Sequence, residues 1–297
     1  MKYAIGIDIG GTNTRIALID EKYEIIERIQ FPSFPKDPKQ NIEKIAQVIG
    51  NFKEEILGIG LSCPGPLDLI NGKILETPNL PGWWYFNISE ELEKATNIPV
   101  FLQNDANLAA LAEAVIGEGR NHRYVQFLTI STGLGSGQVI DKEIYIGSHG
   151  YAHEIANMIL WRDGPSQGSI LAGGIEAISS GTAITKRAKD RGLSVIHAGQ
   201  VNDLALAGNE IAMVIMDEAK EYLANAIAAI ISITDPDIVI LGGSVSLKIE
   251  GFVEDVNARV QNKVITNLKD VIKVCKSTLS EDSGLLGAAC LAFEKTK

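Results

Sequence analysis

The stretch Val100-Phe101-Leu102-Gln103-Asn104-Asp105-Ala106-Asn107-Leu108-Ala109-Ala110 passes from a short apolar run into an Ala/Leu-rich run that continues to Gly117. Val100 to Gln103 read as a buried strand, and the run from Ala106 reads as a helix. Asn104, Asp105 and Asn107 stand at the joint. Asn and Asp accept hydrogen bonds from the free N–H groups of a first turn, so a helix cap is one sufficient explanation. A cap needs a single such residue, and this turn carries three. The alternative is a carboxylate held on a rigid strand–helix joint at the end of an α/β sheet, where open sheets place their ligands.

Toward the N terminus, a helix is predicted over Ile88 to Thr96, preceded by the turn Asn79-Leu80-Pro81-Gly82-Trp83-Trp84. A strand over Ile56 to Ser62 stops at Cys63-Pro64-Gly65-Pro66. Pro fixes φ and removes donors while Gly permits close approach, which suits a rigid strand terminator and a ligand-facing turn alike. The chain opens on the apolar alternation Tyr3 to Asp8, turns through Gly10-Gly11-Thr12-Asn13, and resumes as a strand over Arg15 to Asp20. A Gly-rich turn between two strands excludes both a dinucleotide fingerprint and a P-loop, which feed a helix. Its bare N–H groups and hydroxyl suit phosphate oxygens; an ordinary hairpin turn is the other reading. A third strand, Glu24 to Phe31, and a helix over Lys39 to Phe52 with Ile42, Ile45 and Ile49 on one face follow.

Toward the C terminus, Gly117-Glu118-Gly119-Arg120-Asn121 marks an expected boundary between domains of residues 1–118 and 119–297. Tyr124 to Ser131, the turn Thr132-Gly133-Leu134-Gly135-Ser136-Gly137 and Gln138 to Asp141 then repeat the opening layout, a weak internal duplication. His153-Glu154-Ile155-Ala156-Asn157 falls short of a zincin helix because the second His is missing. Gly164 to Gly174 read as a Gly/Ser-rich loop and Ile175 to Asp190 as one helix. Glu176 lies in that helix's first turn, where the dipole alone accounts for a carboxylate. Glu210 to Ile233 give the longest helix, Asp237 to Leu241 a strand ending in Gly242-Gly243-Ser244, and Ser283 to Ala289 open the last helix.

Composition narrows the function. The 297 residues suit two domains, and 45% are hydrophobic. A formal net charge of −10 argues against a nucleic-acid binder, which needs clustered Lys and Arg. No apolar run reaches spanning length and no secretory leader is visible, so the expectation is a cytoplasmic protein with no membrane partner. Cys63, Cys275 and Cys290 are isolated among apolar residues and read as buried small hydrophobes.

The three Gly-rich turns, Pro-Gly-Pro and the Asn-Asp joint, in this order, resemble the ROK family of sugar kinases and related repressors, within the actin/hexokinase-like superfamily. The similarity covers essentially the whole chain. It is strongest at Asp8 to Thr12, Asn104 to Asn107, Ser131 to Gly135, Gly173 to Ala183, Leu241 to Ser244 and Ser283 to Ala289. The resemblance implies an α/β protein of two ribonuclease-H-like domains around a cleft, with the final helix, residues 284–295, returning to the N-terminal domain. It implies an ATP-dependent kinase acting on the 6-hydroxyl of a hexose, with glucose, N-acetylmannosamine and a β-glucoside as candidates, and a homodimer. Asp105 then corresponds to the catalytic base. Gly65, Asn79, Asn104, Glu154, Asn157 and Glu176 correspond to the sugar site. Asp8, Gly10, Gly11, Thr12, Asn13, Thr132, Gly133, Gly135, Gly242, Gly243 and Ser244 correspond to the ATP and phosphate site, with Asp8 holding Mg²⁺ indirectly.

The chain departs from the family at one place. Most members carry a zinc knuckle of one His and three Cys, and here Asn157, Gln167, Ser169 and Gly174 stand at those positions. Amide, hydroxyl and glycine do not replace thiolates on Zn²⁺, so no structural zinc is expected. Asn157 in place of the His also bears on preference around C1 and C2 of the sugar. Two other classes compete: a sugar-responsive repressor, which needs a helix-turn-helix that the opening strand does not supply, and a non-catalytic sugar or nucleotide binder, against which Asp105 and both phosphate turns weigh.

Overall fold

A computed structural model describes residues 1–279 and 282–297. Its first sheet starts from the predicted hairpin. β1 (Tyr3–Ile9) and β2 (Asn13–Asp20) pair antiparallel from Tyr3↔Asp20 to Ile9↔Thr14, and β3 (Ile25–Pro32) extends the meander. α1 (Pro38–Ile49) follows; Asp37 caps it by accepting from the Gln40 N–H at 3.1 Å, and Pro38 occupies its first turn. β4 (Ile56–Cys63) then pairs parallel with β1. After the short hairpin β5 (Leu67–Asp68) and β6 (Lys73–Ile74), α2 (Ile88–Thr96) leads into β7 (Val100–Asn104), which pairs parallel with β4 and runs directly into α3 (Asp105–Val115). The sheet order is β3-β2-β1-β4-β7.

Strand periodicity sorts the two faces of this sheet. Ile5, Ile7, Ile16, Leu18, Ile59 and Leu61 point to one layer, against Ile42 and Ile45 of α1 and Leu92 of α2. Ala4, Ala17 and Ile19 point to the other, against Leu285, Ala289 and Phe293 of the last helix. Gly60 shows why that face is built of small residues: a Cβ there would lie 1.7 Å from the Ala288 carbonyl oxygen.

The second sheet repeats the plan. β8 (Tyr124–Ile130) and β9 (Leu134–Ile140) pair antiparallel, and β10 (Glu143–Ile144) pairs antiparallel with β9. Then come α4 (Ile175–Ser179), α5 (Gly181–Asp190), α6 (Ala198–Leu206) and the long α7 (Glu210–Thr234). β11 (Ile238–Gly242), α8 (Gly243–Lys248), α9 (Phe252–Gln261) and β12 (Lys273–Lys276) complete the set, in the order β10-β9-β8-β11-β12. α10 (Ser283–Lys295) belongs with the first sheet, packed on α3, β1 and β4. Residues 1–117, 146–150 and 279–297 form one compact unit and residues 118–145 and 151–278 the other. This is an actin/hexokinase-like two-domain α/β fold. No described helix is long and apolar enough to cross a membrane.

Two elements differ from the sequence reading, and a segment to which it assigned no element is irregular. Residues 175–190 are two helices, because Ser180 is extended at ψ 159° and its Oγ accepts from the Ala183 N–H at 3.2 Å, restarting the helix. His149 to Trp161 contain no helix; His153 sits at φ 64°, in the left-handed region. The strand expected from Gln138 begins at Leu134, so the hairpin turn is tighter than its glycines suggest.

Candidate active site

In the first unit the C-terminal ends of β1, β4 and β7 lie side by side, with Asp8 opposite Ser62 and Cys63 opposite Asn104. The Asn-Asp joint divides its labour. Asn104 is the cap: its Oδ1 accepts from the N–H groups of Ala106 at 2.8 Å and Asn107 at 3.2 Å. Gln103 Oε1 braces the turn by accepting from Asn104 N and Asn107 Nδ2. Asp105 Oδ1 accepts from Ala106 N at 2.8 Å, yet Asp105 is exposed while Ala106 and Asn107 are buried. The carboxylate therefore stands at the surface on a joint that its neighbours already fix.

The Gly turn closes the same end of this sheet at β1, two strands from that joint. Gly10 N–H donates to Asn13 O at 2.9 Å, closing the hairpin, and Thr12 O accepts from Ser33 N at 2.9 Å. Gly11 lies against Asn79, where a Cβ would come within 2.9 Å of the Asn79 carbonyl oxygen. Gly65 lies near Asn104 Nδ2. Asp8 is ion-paired through Oδ2 with Arg15, its register partner on β2. Its Oδ1 accepts no hydrogen bond from the described residues, so the pair is a fixed carboxylate with one oxygen open, a donor set that fits a hydrated divalent cation. Burial, and then the charges of Asp105 and Asp8, push the buried Cys63 thiol well above its ordinary range, so it stays a neutral packing group.

In the second unit the Ser131–Gly133 turn is held from both sides. Ser131 N–H donates to Gly133 O at 2.9 Å, Ser131 O accepts from Gly181 N at 2.7 Å, and Thr132 O accepts from Thr182 N at 3.3 Å. Ser131 Oγ lies 3.1 Å from Ser244 Oγ. Gly243, at φ 84°, lets α8 start against β8, where a Cβ would lie 2.4 Å from Ile130 O. Around this turn opens a cavity of about 960 Å³, lined by Ser131, Thr132, Gly181, Thr182 and Ser244 together with Lys186, Lys189, His197, Asp203 and Lys248. That volume is at the upper end for small-molecule sites, and hydroxyls with lysines at the wall favour a phosphate-bearing ligand. Gly135 is a β9 strand residue paired with Thr129, and Gly242 closes β11.

Glu176 accepts from Leu134 N–H at 2.8 Å through Oε2, which ties α4 to the same hairpin. Glu154 is exposed, yet partial desolvation of its carboxyl, then the neighbouring Glu176 charge, raises it above the usual range. Burial also lowers the His153 imidazole, which lies 3.1 Å from Gln138 Oε1. Asn157 Oδ1 accepts from Leu171 N–H at 2.8 Å, an intraloop bond.

The sequence pattern described as the ROK family matches residues 4–295. The chain belongs to the ROK family. A ROK hexokinase from Thermus thermophilus superposes with a TM-score of 0.91 at 30% identity, covering 99% of this chain and 98% of that one. A glucokinase of Thermotoga maritima is 31% identical over 98% of this chain and 97% of its own length. An N-acetylmannosamine kinase of Salmonella typhi is 31% identical over 97% of each.

Within this ROK chain the structure brings Asp8, Gly11, Asn79, Gly65, Asn104 and Asp105 to one end of the first sheet. Thr132, Gly133, Gly243, Ser244, Glu176 and Glu154 gather around the hairpin of the second. Sequence reasoning missed the far wall of the cavity: Lys186, Lys189, His197, Asp203 and Lys248. Lys186 and Lys189 lie on α5 and Lys248 on α8, and no local motif marks any of the five.

Proposed function

We propose that this chain transfers the terminal phosphoryl group of ATP to the 6-hydroxyl of a hexose. The observation that carries this reading is Asp105, an exposed carboxylate on the first residue of α3 where Asn104 already serves as the cap. Relatives and structural neighbours named glucokinase, N-acetylmannosamine kinase and hexokinase support the substrate class.

In this reading Asp105 accepts the hydroxyl proton. A carboxylate of ordinary basicity does not deprotonate a ground-state alcohol, but the hydroxyl acidifies as the O–P bond forms. Asn79, Asn104, Glu154 and Glu176, with the Gly65 backbone, bracket the sugar hydroxyls, since donors and acceptors at fixed separation set register. The turns at Gly10–Asn13 and Thr132–Gly135 and the Gly242–Ser244 segment hold the nucleotide; phosphoryl transfer asks mainly for in-line positioning and neutralised charge. Mg²⁺ arriving with ATP supplies charge neutralisation on the phosphates, and the open oxygen of Asp8 is the group that would hold it through water. Asn157 has its Oδ1 spent on Leu171, so we assign it first to bracing its loop.

A coupled ADP-release assay with MgATP over glucose, N-acetylmannosamine and a β-glucoside tests the reading, with the product phosphate located by NMR. Turnover to a 6-phosphate is expected, and no ADP release with any hexose would overturn it. The reading includes a homodimer, tested by sedimentation equilibrium, and no structural zinc. One equivalent of tightly bound zinc found by elemental analysis would contradict the latter.

A further inference from the structure

The segment from Asn157 to Gly174 leaves the body of the second unit and returns to it, and backbone bonds register its two limbs. Leu160 N–H donates to Gly173 O at 2.9 Å, Ile175 N–H to Met158 O at 3.1 Å and Glu176 N–H to Ala156 O at 3.2 Å. Glu154 precedes the outgoing limb and Glu176 ends the returning one. The bonded base of the loop thus sets these two carboxylates against each other, and the Glu176 charge acts on Glu154.

Beyond Met158 and Leu160, which pack on the core of the second unit, the loop has few anchors. Arg162, Asp163, Ser166, Ser169 and Leu171 are exposed. Trp161 is the exception. Its ring stacks face to face on Tyr222 of α7, with centroids 5.0 Å apart and planes within 4°. The Arg187 guanidinium of α5 lies 5.6 Å from the Trp161 ring centroid. Arg187 is only 7% exposed, and a buried cation persists only when its donors are satisfied. Glu218 pairs with one nitrogen and the Ile178 carbonyl accepts from Nη1 at 3.1 Å. The guanidinium is thus pinned, and with Tyr222 it presents two rigid partners to one indole.

We infer that Trp161 is a positioning residue for sugar binding: clamped by Tyr222 and Arg187, it fastens the 157–174 loop and thereby fixes the spacing of Glu154 and Glu176. The role rests on the kinase reading, but half of its test does not.

Trp161→Leu keeps an apolar side chain and removes the flat ring, whereas Trp161→Phe keeps a ring to stack. The expected outcome for Trp161→Leu is a sugar KM raised about tenfold, in line with losing one aromatic and one cation–π contact. Its KM for ATP should stay within about twofold, since the clamp does not line the phosphate turn, and Trp161→Phe should restore most sugar affinity. Amide hydrogen exchange over residues 158–174 should quicken in Trp161→Leu and return toward the parent in Trp161→Phe, a readout that needs no turnover. Tyr222→Leu removes the opposite face and should reproduce the pattern, so it decides the matter if Trp161→Leu does not fold. Parent-like exchange and parent-like sugar KM in the Leu variants would overturn the inference, as would equal losses of sugar and ATP affinity. If the parent phosphorylates no hexose, the kinase reading fails while the exchange data still show whether Trp161 holds the loop.

Discussion

Asp105 and Glu154 are both solvent-exposed carboxylates, but their surroundings differ and each has its own consequence. Asp105 is exposed on a joint made rigid by Asn104 and Gln103, so its removal as a base should leave the fold intact. Asp105→Asn keeps the shape and an acceptor for Ala106 N–H; kcat should fall by roughly 10²–10⁴, the usual worth of a positioned base, with far-UV circular dichroism unchanged. Stopped or steady-state ADP release measures it, and a kcat near the parent's would remove Asp105 from catalysis. Glu154, although also exposed, is held above the ordinary glutamate range by partial desolvation of its carboxyl and then by the Glu176 charge. Its folded form binds a proton more readily than the unfolded chain does. Stability therefore falls as pH rises from the ordinary glutamate value to the raised one, and above both the full cost is present. Glu154→Gln removes that cost, so the variant should be at least as stable as the parent at neutral pH while binding sugar more weakly. In the parent, kcat/KM for sugar should begin to fall on acidification at a higher pH than an ordinary glutamate would dictate. The variant should lose that limb of the pH profile.

At the scale of elements, α10 is the most constrained piece, because its backbone touches the sheet wherever side chains are absent. Gly60→Ala places a methyl group 1.7 Å from Ala288 O, a collision with backbone that no rotamer relieves. Overpacking of this kind should cost roughly 1–3 kcal/mol or more, read as a lower urea midpoint, with α10 loosened first in hydrogen exchange. The apolar strands were legible because period-two alternation is local: β1, β4, β7 and β11 fall within a residue or two of their expected limits. The break between α4 and α5 was not, since Ser180 reads as an ordinary helix residue until Ser131 O claims the Gly181 N–H. Trp161 itself gave no signal, because its partners Tyr222 and Arg187 come from two other helices.

At the scale of the molecule, the faint repeat of the two hairpins extends to whole sheets: each unit has an antiparallel meander followed by two parallel strands. Only the hairpins revealed this, because the Gly/Thr pattern recurs only in their turns, Gly10–Thr12 and Thr132–Gly135; β10 has two residues where β3 has eight. The candidate sites were legible in the same uneven way, with turn residues visible and the cavity wall hidden in generic helix surface. A consequence for ligand binding follows from the duplication. The cavity beside Ser131, Thr132 and Ser244 is built wholly from the second unit, while Asp105 belongs to the first. MgATP without sugar should therefore stabilise the parent by mass action, by about 2.7 kcal/mol at a hundredfold excess over Kd. Ser244→Phe fills the cavity from an exposed position, so its unliganded melting temperature should stay near the parent's while the ATP-induced rise disappears. Asp105→Asn should keep the full rise despite its loss of turnover, because Asp105 is not among the residues that line the cavity. Differential scanning calorimetry on the three proteins separates donor binding from chemistry, and an undiminished ATP shift in Ser244→Phe would place the nucleotide elsewhere.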